Sequence, residues 1–249
     1  MCVRIAECIH DFDQPGSPSN IAFWMESRGL PPSIKIWPGK DKYPENLPDL
    51  VFLHGGVQHV WDKAADPWLK QEVLWVRRVL EQGVPVIGFC LGAQILAEAL
   101  GGTVYRQDWK ETGFYKIEPS PQGAAHPLLN GLEQGFSSFL WHEDHYTLPG
   151  DCVSLAYTAG APNQIVVSRR FPAAGFQFHP EYTRRWIQTY VQECRNENWT
   201  TEAGGLPADA FLAELALRED TFALFEKLIE NTLKWFGERF GKKDGGGSV

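Results

Sequence analysis

Three residues of one sequence, a thiol, an imidazole and a carboxylate, raise the question of chemistry. Cys90 sits in Val84-Pro-Val-Ile-Gly-Phe-Cys-Leu-Gly, with Gly88 and Gly92 two residues to either side. That spacing, Gly-x-nucleophile-x-Gly, lets a chain turn sharply from strand to helix, so the nucleophile projects instead of lying in a sheet. Free N–H groups and the positive end of the following helix favour a thiolate there. The competing reading is a packed cysteine, since free cysteine is among the most buried residue types. A thiol of pKa ~8.5 is only slightly ionised at neutral pH, so hydrolysis also asks for a base. Of seven histidines, His179 stands out: it ends the run Ala174–Phe178 and is followed by Pro180-Glu181. Pro180 stops a strand ladder, and Glu181 is close enough to orient the ring. Donors for an oxyanion are offered by the N–H of Leu91 and by Gly55-Gly56, where a backbone without side chains can approach a ligand. A plain turn is the other reading of that glycine pair.

The elements that must hold these groups follow from hydrophobic period. Val84–Phe89 is short, apolar and β-branched, and reads as a buried strand. Leu91, Ile95, Leu96, Ala99 and Leu100 fall at helical spacing, and Gly101-Gly102 is a stop. Further strands are expected at Cys2–Ile9, Leu50–His54, Phe114–Glu118, Cys152–Tyr157, Ile165–Ser168 and Ala174–Phe178. Helices are expected at Ser19–Arg28, behind a Ser or Asn cap, and at Trp68–Gln82, whose Leu69, Val73, Val76 and Leu80 share one face. Two more follow at Tyr182–Glu197 and within Ala208–Phe240. Such alternation predicts an α/β fold with a mostly parallel central sheet flanked by helices. Ligands then bind at the carboxyl ends of the strands, where both Cys90 and His179 would stand.

Composition narrows the function. The chain has 249 residues, 43% of them hydrophobic and 22% charged, which suits one globular domain over 1–240. The tail, 241–249, is Gly-rich and reads as disordered. A net charge of −8 argues against a nucleic-acid partner, and no apolar run reaches the ~18 residues that would span a membrane. The first residues lack the apolar core of a secretory signal. Five cysteines, an odd number without close pairs, fit free thiols in the cytoplasm better than a disulfide framework. His142-Glu143-Asp144-His145 has neither zinc-type spacing nor HExxH, so no metal and no cofactor are expected.

GFCLGAQILAEALGG, the Gly-Gly loop, WHEDHYTLP and GFQFHPE, in that order over most of 50–183, resemble class I (triad-type) glutamine amidotransferases. More narrowly, they resemble stand-alone members related to the amidotransferase domain of GMP synthase. The resemblance implies a flavodoxin-like three-layer sandwich, with Cys90 as nucleophile, His179 as base and Glu181 as its orienting acid. It implies Gly56 and Leu91 as oxyanion donors, and Gln94 as the glutamine of C-L-G-x-Q that helps hold the substrate. Gly55, Trp141, His142 and Glu143 join the expected substrate-binding residues, with Trp141 to Asp144 as a pocket-side loop. Glu111-Thr-Gly113 resembles a further element near the site. The implied reaction is cleavage of a γ-amide through a γ-glutamyl thioester.

The chain departs from the pattern at Val57, where a proline is usual, and at His142-Glu-Asp-His-Tyr146, where His-Gly-Asp-Thr-Phe is typical. Bulky residues there suggest a small-molecule γ-glutamyl substrate other than plain glutamine. Trp61, Trp109 and Trp141 could line an apolar slot for its amine, ordinary packing being the alternative. No P-loop is present. Three readings follow. The chain is a γ-glutamyl amide hydrolase acting alone or as a homo-oligomer, a glutaminase subunit feeding a separate ATP-dependent synthetase, or a non-catalytic binding protein on the same scaffold.

Overall fold

The structure, a computed structural model, describes residues 3–10, 19–193, 208–216 and 221–241. In chain order the elements are β1 (Ile5–Cys8), α1 (Asn20–Ser27), β2 (Ile34–Ile36), β3 (Leu50–Leu53), α2 (Trp68–Glu81), β4 (Val86–Phe89) and α3 (Leu91–Ala99). There follow β5 (Val104–Pro119), β6 (Phe136–Tyr146), β7 (Cys152–Tyr157), β8 (Ile165–Ser168), β9 (Ala173–Phe176), α4 (Arg184–Glu193), α5 (Ala208–Ala216) and α6 (Phe222–Phe240). Ser19 caps α1, its hydroxyl accepting the Ala22 N–H.

The strands lie in one sheet, in the order β2-β1-β3-β4-β9-β8-β7-β5-β6. From β2 to β9 all pairings are parallel; from β9 to β6 all are antiparallel. The parallel sheet expected from the sequence is thus one half of a larger mixed sheet. Strands β3 and β4 are buried along their whole length, as continuous apolar runs covered on both faces must be. Alternation sends Leu50, Phe52, Ile87 and Phe89 into a core with α1 and α6, and Val51, Leu53 and Val86 into one with α2 and α3. A third cluster joins Phe139 of β6 to Tyr182, Trp186 and Ile187, and to Phe211 and Leu215 of α5.

The largest departure from the sequence reading is the β5–β6 hairpin. A strand was expected only over Phe114–Glu118, and Trp141–Asp144 as a loop; both belong to long paired strands of 16 and 11 residues. Two features hide them. Register shifts between Arg106 and Glu111, and Gly113 takes φ +129°, so no two-residue period survives in β5. In β6 the polar run His142, Asp144, His145 is buried, the reverse of what polarity alone suggests. Strand β2, three residues long, was not foreseen. Regular pairing in β9 stops at Phe176, short of the expected Phe178, although Gln177 N–H still reaches Gln164 O at 2.9 Å and His179 N–H reaches Phe139 O at 2.8 Å. Helix α4 starts at Arg184 instead of Tyr182, and 194–197 lie outside the described residues, as does 242–249 of the tail. The single long helix expected within Ala208–Phe240 is two, α5 and α6. Among the described residues no helix is long and apolar enough to cross a membrane.

Candidate active site

Four neighbouring parallel strands each deliver a functional segment at the carboxyl edge. After β1 comes His10, after β3 His54-Gly55-Gly56, after β4 Cys90 and after β9 His179. This is where open α/β sheets bind ligands.

Cys90 is the one non-glycine residue at positive φ among the described residues, with φ 47° and ψ −108°. Such backbone is sterically costly and calls for an enforcing neighbourhood. Its own N–H donates to Phe176 O at 2.8 Å, Gly92 N–H donates to His54 O at 3.0 Å, and Gln94 N–H donates to Cys90 O at 3.0 Å. The flanking glycines are required by contact. A Cβ on Gly88 would sit 2.4 Å from Gly92 O, and one on Gly92 would sit 2.2 Å from Leu53 O. The Leu91 N–H stands at the first helical position, where no intrahelical acceptor exists.

The sequence-predicted partners are brought to the sulfur. His179 Nδ1 lies 2.8 Å from Glu181 Oε1, and a carboxylate there fixes Nδ1 as the donor, leaving the other ring nitrogen for the thiol side. Cys90, His179 and Glu181 are 4%, 3% and 0% exposed, so their charges interact with little water between them. Burial alone would lower the His179 pKa. The Glu181 carboxylate, and after it the Cys90 sulfur, outweigh burial and raise it to about 10. An imidazolium beside the sulfur is the natural counter-charge of a thiolate. Gln177 Nε2 and Trp141 O each lie 3.7 Å from Sγ; Gln177 was not foreseen.

Gly55 and Gly56 do different things. A Cβ on Gly55 would lie 2.7 Å from the His179 ring, and one on Gly56 would meet Leu91, Gln58 and His10 at 2.5–2.7 Å. Gly55 thus makes room for the imidazole, while Gly56 lies on the cavity wall. Beneath this loop is a buried ionic network the sequence did not reveal. His10 Nδ1 donates to His54 O at 2.9 Å, and His10 Nε2 lies 2.9 and 3.1 Å from the two oxygens of Glu72. His54 Nε2 meets Glu7 at 2.7 Å, and Ser33 donates to the same carboxylate.

A cavity of about 190 Å³ holds Cys90 and His179 together with Gly56, Gln94, Trp141, His142 and Glu143 among its walls. Gln94 is buried and its Nε2 donates to Asp144 O at 3.4 Å. His142 Nε2 lies 3.0 Å from Glu111, which also accepts from Thr158 at 2.6 Å and Gln164 at 2.8 Å. Burial would raise the Glu111 pKa, but His142 and then Thr158 hold it below the usual value. Behind His142, His145 is fully buried with neither ring nitrogen hydrogen-bonded; burial, then the His142 charge, pushes its pKa down to about 4. Glu143 faces Lys110 at 2.8 Å and Arg106 at 3.2 Å, and Asp144 faces His59 at 2.7 Å. Of the three tryptophans considered for an apolar slot, only Trp141 lines the cavity; Trp61 and Trp109 are exposed on the surface. The remaining aromatic walls, Phe139, Tyr182, Trp186 and Tyr190, were missed. The spacing of four from 182 to 190 was the signal.

Comparison with known proteins points to one family. Residues 19–193 match the family model "Glutamine amidotransferase class-I". The glutamine amidotransferase-like protein YfeJ of Salmonella typhimurium is 31% identical over 186 residues, covering 70% of this chain and 74% of that protein. A GMP synthase [glutamine-hydrolyzing] of Vibrio cholerae is 33% identical over 164 residues, 63% of this chain but only 30% of the synthase. This chain thus spans about a third of the GMP synthases it matches. In fold it resembles a glutamine amidotransferase from Thermotoga maritima, with a TM-score of 0.78 at 23% identity, covering 96% of this chain and 99% of the other. It also resembles one from Methylobacillus flagellatus, with a TM-score of 0.74 at 22% identity, covering 100% and 98%. With a matching model over residues 19–193, this chain belongs to the class-I glutamine amidotransferase family.

Proposed function

We propose that this chain hydrolyses a γ-glutamyl amide, either glutamine or an N-substituted γ-glutamyl amine or peptide, by thiol catalysis. The observation that carries the reading is Cys90 on a strained elbow, sharing one cavity wall with an imidazole whose Nδ1 is held by the buried Glu181. The Cys90 thiolate attacks the γ-carbonyl carbon, forming a C–S bond and an oxyanion that the N–H groups of Gly56 and Leu91 would stabilise. On collapse the C–N bond breaks, and His179 gives its proton to the departing nitrogen. Water then attacks the thioester, losing a proton to His179; the C–S bond breaks and glutamate leaves. Glu181 keeps the ring oriented throughout. Gln94, Trp141, His142, Glu143 and Gly55 shape the site around the γ-glutamyl group.

The test is glutamate release from glutamine and γ-glutamyl amines by the purified chain. Turnover is expected, with Cys90→Ala losing at least about 10³-fold at an unchanged melting temperature. A fully active Cys90→Ala protein would end the mechanism, and an intact protein inert toward all substrates would leave a non-catalytic binding scaffold. A second reading is favoured by the GMP synthases, of which the match covers only about a third: ammonia passes to a separate ATP-dependent synthetase subunit. Activity that appears only on mixing with such a subunit supports it.

A further inference from the structure

The imidazole that protonates the leaving nitrogen is the first ring of an aromatic stack. His179 lies on Tyr182 with centroids 4.3 Å apart and planes 7° from parallel. Tyr182 stacks on Trp186 at 3.5 Å, and Trp186 on Tyr190 at 5.0 Å. Tyr190 meets Trp141 edge-on at 4.6 Å. Trp186 and Tyr190, four residues apart, share one face of α4, Tyr182 precedes the helix, and all of these rings line the cavity that holds Cys90. The stack also runs outward: Tyr182 and Trp186 are buried, whereas Trp141 and Tyr190 are half-buried. Trp141 touches both ends of the site, its carbonyl near Sγ and its indole at the outer end of the stack.

Charge does not compete for this wall. Glu143 is met by Lys110 and Arg106, and Asp144 by the His59 ring, so the acids nearby are engaged by the chain's own side chains. The cavity of about 190 Å³ is smaller than the ~300–1,000 Å³ typical of drug-sized ligands. It suits the γ-glutamyl part, and any substituent on the leaving nitrogen must lie against the rings toward the mouth.

We propose that the amine released by this site is a neutral-bodied arylalkylamine, its ring packed against Trp141 and Tyr190, so that γ-glutamyl arylalkylamides are hydrolysed in preference to glutamine. This rests on the thiol mechanism above. The reaction is amide plus water giving glutamate plus amine, with the amine nitrogen receiving the His179 proton.

The experiment compares kcat/KM for glutamine, γ-glutamyl ethylamide and γ-glutamyl phenethylamide with the full chain, read as glutamate release. The phenethylamide is expected to exceed the ethylamide by about tenfold or more, the scale of one well-packed aromatic contact. Tyr190→Leu should shrink that ratio toward one, and Tyr190→Phe should keep most of it. Equal rates for the two amides, or glutamine as the best substrate, overturn the inference while leaving the thiol mechanism standing. Should Tyr190→Leu fail to fold, the wild-type ratio decides alone. If no amide is turned over and a diazoketone analogue of glutamine fails to label Cys90, the mechanism itself falls, and the inference with it.

Discussion

At Cys90 a residue with a side chain holds φ 47°, a conformation that costs about 1–3 kcal/mol and that three backbone hydrogen bonds and two glycines impose. The glycines are the sharper test. An alanine at Gly92 would drive its Cβ to 2.2 Å from the Leu53 carbonyl, and neither backbone can retreat without opening β3 from α3. Gly92→Ala should therefore cost more than about 4 kcal/mol, seen as an early or lost melting transition; a soluble variant with native stability would contradict the contact. A second prediction concerns His179. Its pKa is raised to about 10 against burial, first by Glu181 and then by Cys90, so the protonated ring that feeds the leaving group survives well above neutral pH. Activity should fall as pH rises through about 10. Glu181→Gln removes the largest raising cause, and the basic limb of kcat/KM should move to lower pH, with a rate loss milder than that of Cys90→Ala. A limb that stays in place would show that Glu181 does not set the ring's protonation. These residues were legible in the sequence because their geometry is local: Gly-x-Cys-x-Gly and His-Pro-Glu each fix their own backbone within a few residues.

Between elements, legibility falls with sequence separation. β3, β4, α2 and α3 announced themselves because each buries a continuous run or one helical stripe. β5 and β6 did not, since a register shift breaks the period and buried polar residues occupy β6. The network under the Gly55-Gly56 loop was invisible for another reason. His10 contacts the carbonyl of His54 and a carboxylate on α2, 44 and 62 residues away, and no short motif links them. Its physical role follows from the His54 carbonyl, which accepts from both His10 Nδ1 at 2.9 Å and Gly92 N–H at 3.0 Å. That oxygen pins the start of the Gly55-Gly56 loop to the elbow helix, and Glu72 holds the histidine in place. Glu72→Gln breaks a wholly buried pair, which typically costs about 3–5 kcal/mol. It should also lower kcat by about tenfold, as a loosened oxyanion donor would, with a much smaller change in KM. Denaturant unfolding and steady-state kinetics on the folded protein separate the two effects. A loss of stability with unaltered kcat would reduce the network to scaffolding.

Across the molecule, Glu181, the acid of the proposed triad, is tied to the starts of α1 and α6 through Asn20. Asn20, the first residue of α1, gives its backbone N–H to Glu181 O at 2.8 Å. Its side-chain Nδ2 donates to Pro180 O at 2.8 Å and to Thr221 Oγ1 at 3.0 Å, with Tyr182 O at 3.3 Å. Thr221, which precedes α6, in turn donates to Tyr182 O at 2.8 Å. Helix α6 covers one face of the sheet with Phe225, Leu228 and Ile229, so the layer that closes the core and the segment that carries Glu181 share a joint. All three groups around Nδ2, the carbonyls of Pro180 and Tyr182 and the Thr221 hydroxyl, are acceptors by nature or by their other bonds, and only a donor satisfies them. Asn20→Asp replaces that donor with a buried carboxylate facing carbonyl oxygens, a loss of about 3 kcal/mol or more. For a chain of this size that is a drop of about 6–12 °C in melting temperature. Because Glu181 moves with Pro180 and Tyr182, kcat should fall too. Both losses should shrink as pH is lowered: the new carboxyl is pushed above its usual pKa by burial, and once protonated it can donate where the amide did. An Asn20→Asp protein with native melting and native turnover at neutral pH would show that α6 and the triad acid are not mechanically joined.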